Sequence, residues 1–441
     1  MARQKYDWQK VVGDLQCDFM HRVIFSQVVG FLLGCSVVTA TAKTFDVRDF
    51  GAKGDGKTKD TAAVQAALDA CKTNGGGTVI IAKGDYVIGS VVMGPNTTLE
   101  LERDGMLNGS PDEADYPLMK TRWEGEFRDC HRAMISAENA ANVTVTGPGA
   151  IFGPPFPISQ LRTPRGPTLL EFINCTNVLL ENFATQYQRL WSIHPLYCQN
   201  FTARNLTIRS ININGDGLDI DSCRNVLIDH CSIDTGDDAI SLKSGRGMEA
   251  VRIARPTENV VITNCSLVSS TFAGIGIGTE LSGGIRNVRI EDCYISGRQN
   301  GIYFKSRNGR GGYIENIVGE NLLINHAPTF IGIDLLDKGI QATEPVTGDM
   351  AQWTQMSNVT FTNIQVVDVH ALVDGESIPT DRPVDGLTLA NISGTCARGI
   401  TLANMTNVDL SEIHVTGFAG KLLTMRNVHG VGKDDPEITE K

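Results

Sequence analysis

The chain has no basic excess. Lys and Arg number 39 against 50 Asp and Glu, a formal net charge of -11 over 441 residues. That balance argues against nucleic acid as a partner, which needs a basic stripe to meet phosphate. It leaves room for a local basic cleft and an acidic substrate. There is no CxxC pair and no His/Cys cluster at zinc-site spacing, so no metal and no cofactor is expected. The 11 cysteines lack the dense spacing of a disulfide-stapled scaffold, and several share one repeat phase, which reads as packed thiols. The apolar run Val23 to Val38 is interrupted by Ser26, Gln27 and Gly34 and is short for a stable membrane span. Long helical patterns between strands are also missing, as is any linker after residue 43.

The apolar run has another reading. His21 and Arg22 precede it and Ala40-Thr41-Ala42 follows it. A positive flank, a short apolar core and a small-x-small site together make a secretory signal. Met20 is then a possible true start, and Leu32-Leu33-Gly34-Cys35 offers a lipoprotein anchor at Cys35 as the minor alternative. The expected location is secreted or periplasmic, with no membrane span after processing. The expected division is an extension and signal over 1–42, one domain over 43–431, and a charged tail over 432–441.

What the chain has in abundance is a repeat. Asn, apolar, any, apolar recurs from Asn142, Asn177, Asn200, Asn225, Asn259, Asn287, Asn316, Asn358 and Asn407. The spacing falls in the range of solenoid coils. Each unit is a short alternating strand rich in Val and Ile. Parallel strands in a βαβ sheet would need crossovers of about a dozen residues, usually helical, and none is visible. The economical solution is all-β: a right-handed, single-stranded parallel β-helix, each coil stacked about 4.8 Å above the last. Asn at the repeat turn is expected to bond the neighbouring coil's backbone, and Cys231, Cys265 and Cys293 are expected to stack inside. A solenoid needs its open end covered. Asp60 to Cys71 reads as an amphipathic capping helix with Asp60 or Thr61 as its N-cap.

The densest carboxylate cluster lies between Asn212 and Gly245. There DGLDID from Asp216 aligns with DAISLK from Asp238, a shift of 22 residues (238 less 216) that suits one coil. Asp216 and Asp238 should therefore stack, while Asp237 projects in a different direction. Leu218, Ile220, Ile240 and Leu242 should point inward, and Asp219, Asp221, Ser241 and Lys243 outward. Crowded carboxylates raise one another's pKa, which provides an acid and a base in one place. Calcium binding or solvated turn acids would use the same residue types. Two further segments share the alignment, AGIGIG from Ala273 and NGIYFK from Asn300. The second sets Tyr303 and Lys305 near the aspartates, with Arg307 and Arg310 following as a cationic end suited to a substrate bearing carboxylates.

At these residues the chain resembles glycoside hydrolase family 28, which holds polygalacturonases and rhamnogalacturonan hydrolases. Asn214-Gly215-Asp216 resembles the family's Asn-Thr-Asp motif, and Gly236-Asp237-Asp238 its Gly/Gln-Asp-Asp motif. GIGTELSGGIRNV from Gly276 resembles a stretch of the bacterial branch. The resemblance spans roughly residues 44 to 430 and implies pectin hydrolysis by inverting single displacement. Asp237 would then be the general acid, with Asp216 and Asp238 holding and deprotonating the attacking water. Two positions depart from the family pattern: Phe272 stands where its His falls, and Tyr303 where its Arg falls. They favour a branch with a different sugar in one subsite, such as rhamnogalacturonan, or an exo-acting enzyme. Lys305, Tyr303, Lys243, Arg307, His194 and Glu280 are the candidate substrate-binding residues. His194 would either line the cleft or bond backbone structurally. The expected partner is a pectic polysaccharide or oligosaccharide, bound by a monomer. The alternatives are a calcium-dependent β-helix lyase and a catalytically impaired pectin-binding relative.

Overall fold

Alternating apolar side chains make each Asn-led repeat a strand with one buried face, and these strands pair in parallel. The computed structural model describes residues 43–155, 164–188, 190–210, 212–339 and 352–430. The export segment, Met20, Cys35 and the 432–441 tail lie outside the described residues. Through most of the chain each strand pairs with the third strand after it, as Gln199–Arg204 does with Arg224–Asp229. Three strands therefore complete one coil, and the coils stack into a right-handed parallel β-helix.

Stacking puts like on like. Ile193, Leu218, Ile240, Ile275 and Ile302 form one inward column through successive registers, each with no exposed surface. Cys231, Cys265 and Cys293 stack inside as expected, the Cys231 N–H donating to Cys265 Sγ at 3.4 Å. A second thiol ladder joins Cys198 to Cys223, the Cys198 N–H donating to its sulfur at 3.3 Å. The cysteines among the described residues are free.

The Asn ladder differs from expectation. The side-chain amides donate to the side-chain oxygen of the residue one coil earlier, not to backbone: Asn177 to Asn142, Asn200 to Asn177, Asn225 to Asn200, and at the last repeat Asn407 to Asp385. These Asn residues hold φ between 52° and 57°, the left-handed region that Asn tolerates best among residues with a Cβ. A carboxylate only accepts and an ammonium only donates, whereas the Asn amide does both, so it can pass the ladder from one coil to the next.

The capping helix spans Thr61–Thr73 and buries Val64, Ala67, Leu68 and Cys71 against the end of the core. Asp60 precedes it but does not cap it with its side chain. Its carboxylate instead accepts the Lys53 and Gly54 N–H groups at 2.7 and 3.0 Å, tying down the Gly-rich loop. Thr61 Oγ1 accepts from the Gly89 N–H.

Candidate active site

Six stacked strands build the site: β1 (Leu170–Ile173), β2 (Ile193–Leu196), β3 (Leu218–Asp221), β4 (Ile240–Lys243), β5 (Ala273–Ile277) and β6 (Asn300–Lys305). The β3/β4 register pairs Leu218 with Ile240 and Asp221 with Lys243, which is the 22-residue shift read from sequence. Gly217 N–H donates to Asp238 C=O at 3.1 Å, so Asp216 and Asp238 lead into equivalent points of adjacent coils. One oxygen of each of Asp216, Asp237 and Asp238 lies within 4.8 Å of the others. Asp219, Asp221, Ser241 and Lys243 do point away from the core, but all four are covered rather than solvated.

Backbone amides and one lysine fix Asp237 and Asp238. Asp237 accepts the Asn214 N–H at 3.1 Å and the Asp238 N–H at 2.9 Å. Asp238 accepts the Ala273 N–H at 3.1 Å and the Lys305 ammonium at 2.7 Å. Lys305 reaches Asp238 from two coils away, and the space it crosses exists because Gly276 lies between. A Cβ on Gly276 would sit 2.2 Å from Asp238 Oδ2 and 3.0 Å from Lys305 Nζ.

Burial sets the protonation states. Loss of solvent, then the Asp238 charge, raises Asp237 above the usual carboxylate range, although Lys305 and its own amide bond oppose this. Burial, then Asp219 and Asp237, holds Asp216 far above that range. Burial works against the Lys305 ammonium, yet Asp238 outweighs it and keeps the lysine charged. The same contest leaves Lys243 charged, through Glu280 and Asp219.

A cleft of about 550 Å³ opens over the trio, lined also by Asn214, Phe272, Gln299, Glu280, Lys243 and Lys305. Glu280 pairs with Lys243 at 3.5 Å. The other sequence candidates sit elsewhere. Tyr303 is buried against Gly332, its ring centroid 5.8 Å from Lys305 Nζ and 5.2 Å from Lys338 Nζ. Arg307 bonds the Gly339 carbonyl at 2.7 Å and Asp337 at 2.9 Å, fixing a loop that lines the cleft rather than lining it itself. Arg310 is buried, so the expected cationic end is not made by these arginines. Lys338 and Arg165 supply positive charge at the walls instead.

His194 lies beneath the cleft and bonds a carboxylate, not backbone, with a second carboxylate at ion-pair distance. Its Nδ1 is 2.9 Å from Glu171 and its Nε2 3.8 Å from Asp221. Burial disfavours its charge, but those two carboxylates prevail and hold the imidazolium up to about 9.

Sequence reasoning missed one wall altogether. Leu118–Trp123 and Glu126–His131 form an antiparallel hairpin that folds onto the cleft. Its two-residue turn, Glu124-Gly125, has positive φ at both positions, as a tight type I′ hairpin requires. Trp123 packs on Trp191 with ring centroids 4.2 Å apart, and Arg165 lies 4.8 Å over Trp123 while pairing with Glu124 at 3.3 Å. Arg122 anchors the hairpin by donating to Asp221 at 2.8 Å, Ser222 at 2.9 Å and the Tyr197 hydroxyl. A Glu-Gly turn between two extended runs was the available signal for the hairpin, but nothing in it tells where the hairpin docks.

The model described as "Glycosyl hydrolases family 28" matches residues 71–409. A probable polygalacturonase of Vitis vinifera is 31% identical over 299 residues, covering 64% of this chain and 61% of its own length. An exo-poly-alpha-D-galacturonosidase of Dickeya chrysanthemi is 23% identical over 461 residues, covering 90% and 76%. Among solved structures, a hyperthermoactive exopolygalacturonase from Thermotoga maritima superposes with TM-score 0.71 at 24% identity, over 88% of this chain and 92% of that one. A Yersinia enterocolitica family 28 exopolygalacturonase gives 0.78 at 21% identity, over 88% and 78%. At these identities the structural likeness is one of fold.

Proposed function

We propose that this chain, a member of glycosyl hydrolase family 28, hydrolyses O-glycosyl bonds of a pectic polysaccharide, galacturonan or rhamnogalacturonan, with inversion. The observation that carries the reading is the convergence of Asp216, Asp237 and Asp238 in a cleft flanked by lysines. Asp237, raised by burial and held by two backbone amides, retains a proton for the leaving oxygen. Asp216 and Asp238 hold the attacking water, and Asp216, whose proton affinity is raised most, is the stronger base. Lys338 lines the cleft without a carboxylate pair among the described residues and is a candidate to meet a uronate carboxylate. Lys305 acts on Asp238 first, as its counter-ion.

Nearest oxygens within 4.8 Å are closer than the roughly 6.5–9.5 Å common between the carboxyls of inverting enzymes. The spacing alone would suit retention, so inversion is supported by family membership and not by this distance. A single experiment tests both parts. Wild type and Asp237→Asn are incubated with polygalacturonan and with rhamnogalacturonan, and the first product's anomer is read by proton NMR. Wild type should release the inverted anomer from one polymer, and Asp237→Asn should lose at least about 10³-fold in kcat with its fold intact. Full activity in the variant sinks the acid assignment, and a retained anomer sinks single displacement.

We further propose export, supported by the His21-Arg22 flank, the Val23 to Val38 run and Ala40-Thr41-Ala42.

A further inference from the structure

Asp219 is a fourth carboxyl in this site, and the reaction above gives it no task. It has no exposed surface, and among the described residues neither of its oxygens accepts a hydrogen bond. Asp216 Oδ1, three residues earlier on the loop into β3, is likewise buried without a donor. Charged groups face Asp219 from every side: Asp216 on its own loop, His194 from the coil before, Lys243 and Asp238 from the coil after. Cations do not balance them. Lys305 is bonded to Asp238 at 2.7 Å, and Lys243 divides itself between Asp219 at 3.4 Å and Glu280 at 3.5 Å. Leaving several buried anions uncompensated would be costly, so the site retains protons. Asp237 takes one as the acid. Two neighbouring carboxyls with orphan oxygens are the natural holders of another.

We propose, resting on the hydrolase reading above, that Asp219 is a positioning residue for the base: it shares one buried proton with Asp216 and thereby sets how strongly Asp216 draws on the attacking water. Protons balance through the cycle. Water gives its hydroxyl to the anomeric carbon and its proton to Asp216, while Asp237 gives its proton to the leaving oxygen. The Asp216/Asp219 pair then carries the extra proton until Asp237 regains it, restoring the starting state. Electrostatics agree with the geometry. After burial, Asp219 is the largest influence raising Asp216, and Asp219 itself is held up to about 7 by burial in spite of Lys243 and His194.

The sign of the effect follows. A neighbouring negative charge raises a carboxyl's pKa, so removing it lowers that of Asp216. The base must be ionised to act, so the acid limb of activity should move to lower pH, and a weaker base should turn over more slowly. The test is kcat/KM against pH on polygalacturonan and rhamnogalacturonan for wild type, Asp219→Asn and Asp219→Glu. Asp219→Asn should shift the acid limb down by about one pH unit and lower kcat about tenfold. Asp219→Glu should restore part of both. A purely structural role would scale the whole profile down with its limbs in place, and that result overturns the proposal. Should Asp219→Asn not fold, the infrared carboxylic-acid band of wild type at about pH 6 is compared with that of Asp216→Asn. A weaker band in the variant supports the shared proton, and an unchanged band overturns it. A wild type inert on both polymers overturns the functional reading itself; an active wild type with an unshifted Asp219→Asn overturns only the role of Asp219.

Discussion

Single side chains here act through a buried charge column whose parts titrate in opposite directions. His194 gains proton affinity on folding, from 6.5 to about 9, so its contribution to stability is complete below pH 6.5 and disappears as pH rises through about 9. Asp221 is lowered to about 2 despite its burial, because Arg122 and His194 outweigh it, so its contribution is present above 3.8 and is lost as pH falls through 2. Between those limits the column is fully charged and mutually paired. The expected outcome is a wild-type melting temperature that falls between pH 6.5 and 9. His194→Gln should melt lower at pH 6, since a buried pair missing one partner costs about 3–5 kcal/mol, and its melting temperature should change less over that interval. Calorimetry at four pH values decides it; parallel curves for the two proteins would rule His194 out as the titrating group. His194 also shows what sequence could offer at this scale. The stretch WSIHP marked the residue as worth naming, but its partners, Glu171 and Asp221, lie 23 residues before and 27 after, and only the coil register brings them together.

Elements were legible in proportion to their repetition. The aspartate pair was readable because Asp216 and Asp238 sit at the same phase of consecutive coils, and the register fixes phase. The hairpin was not, because it belongs to no coil and docks through side chains far away in sequence: Thr121 on Glu171 and Arg122 on Asp221. Those anchors make the cleft wall an electrostatic attachment to the β-helix, and they give it a test. Arg122→Leu leaves Asp221 buried with the Ser222 hydroxyl and His194 beside it. The hairpin should loosen, carrying Trp123 off Trp191 and opening the wall that Glu124 and Arg165 share. KM should rise about tenfold, which is about 1.4 kcal/mol, while kcat changes less than about threefold, because Asp237 and Asp238 keep their own amide bonds. Proteolysis within 118–131 should quicken in parallel. An unchanged KM would mean that the hairpin does not form the substrate-binding wall.

At the scale of the whole molecule, a solenoid separates two tasks that compact folds combine. The core is repetitive, so its columns of Ile, Cys and Asn could be read from periodicity. The candidate site lies where the repeat is broken: at the loop before β3, at Gly276, and at the hairpin laid on the outside. The sequence also misled about where positive charge would gather. Arg307 and Arg310 were near the site in sequence phase, yet Arg307 secures a loop and Arg310 is buried, while Lys338 and Arg165 reach the cleft from segments with no phase relation to it. The same separation bears on export. The described coils begin with the strand Thr44–Asp46, whose Phe45 side chain is buried in the core, so cleavage after Ala42 would leave that strand intact. Expression with the full N-terminus in a bacterial host should therefore yield an exported, active enzyme whose first residue is Lys43, read by N-terminal sequencing. A product beginning at a lipid-modified Cys35 would favour the lipoprotein route. Enzyme retained in the cytoplasm with residues 1–42 attached would overturn the reading of that segment as a signal.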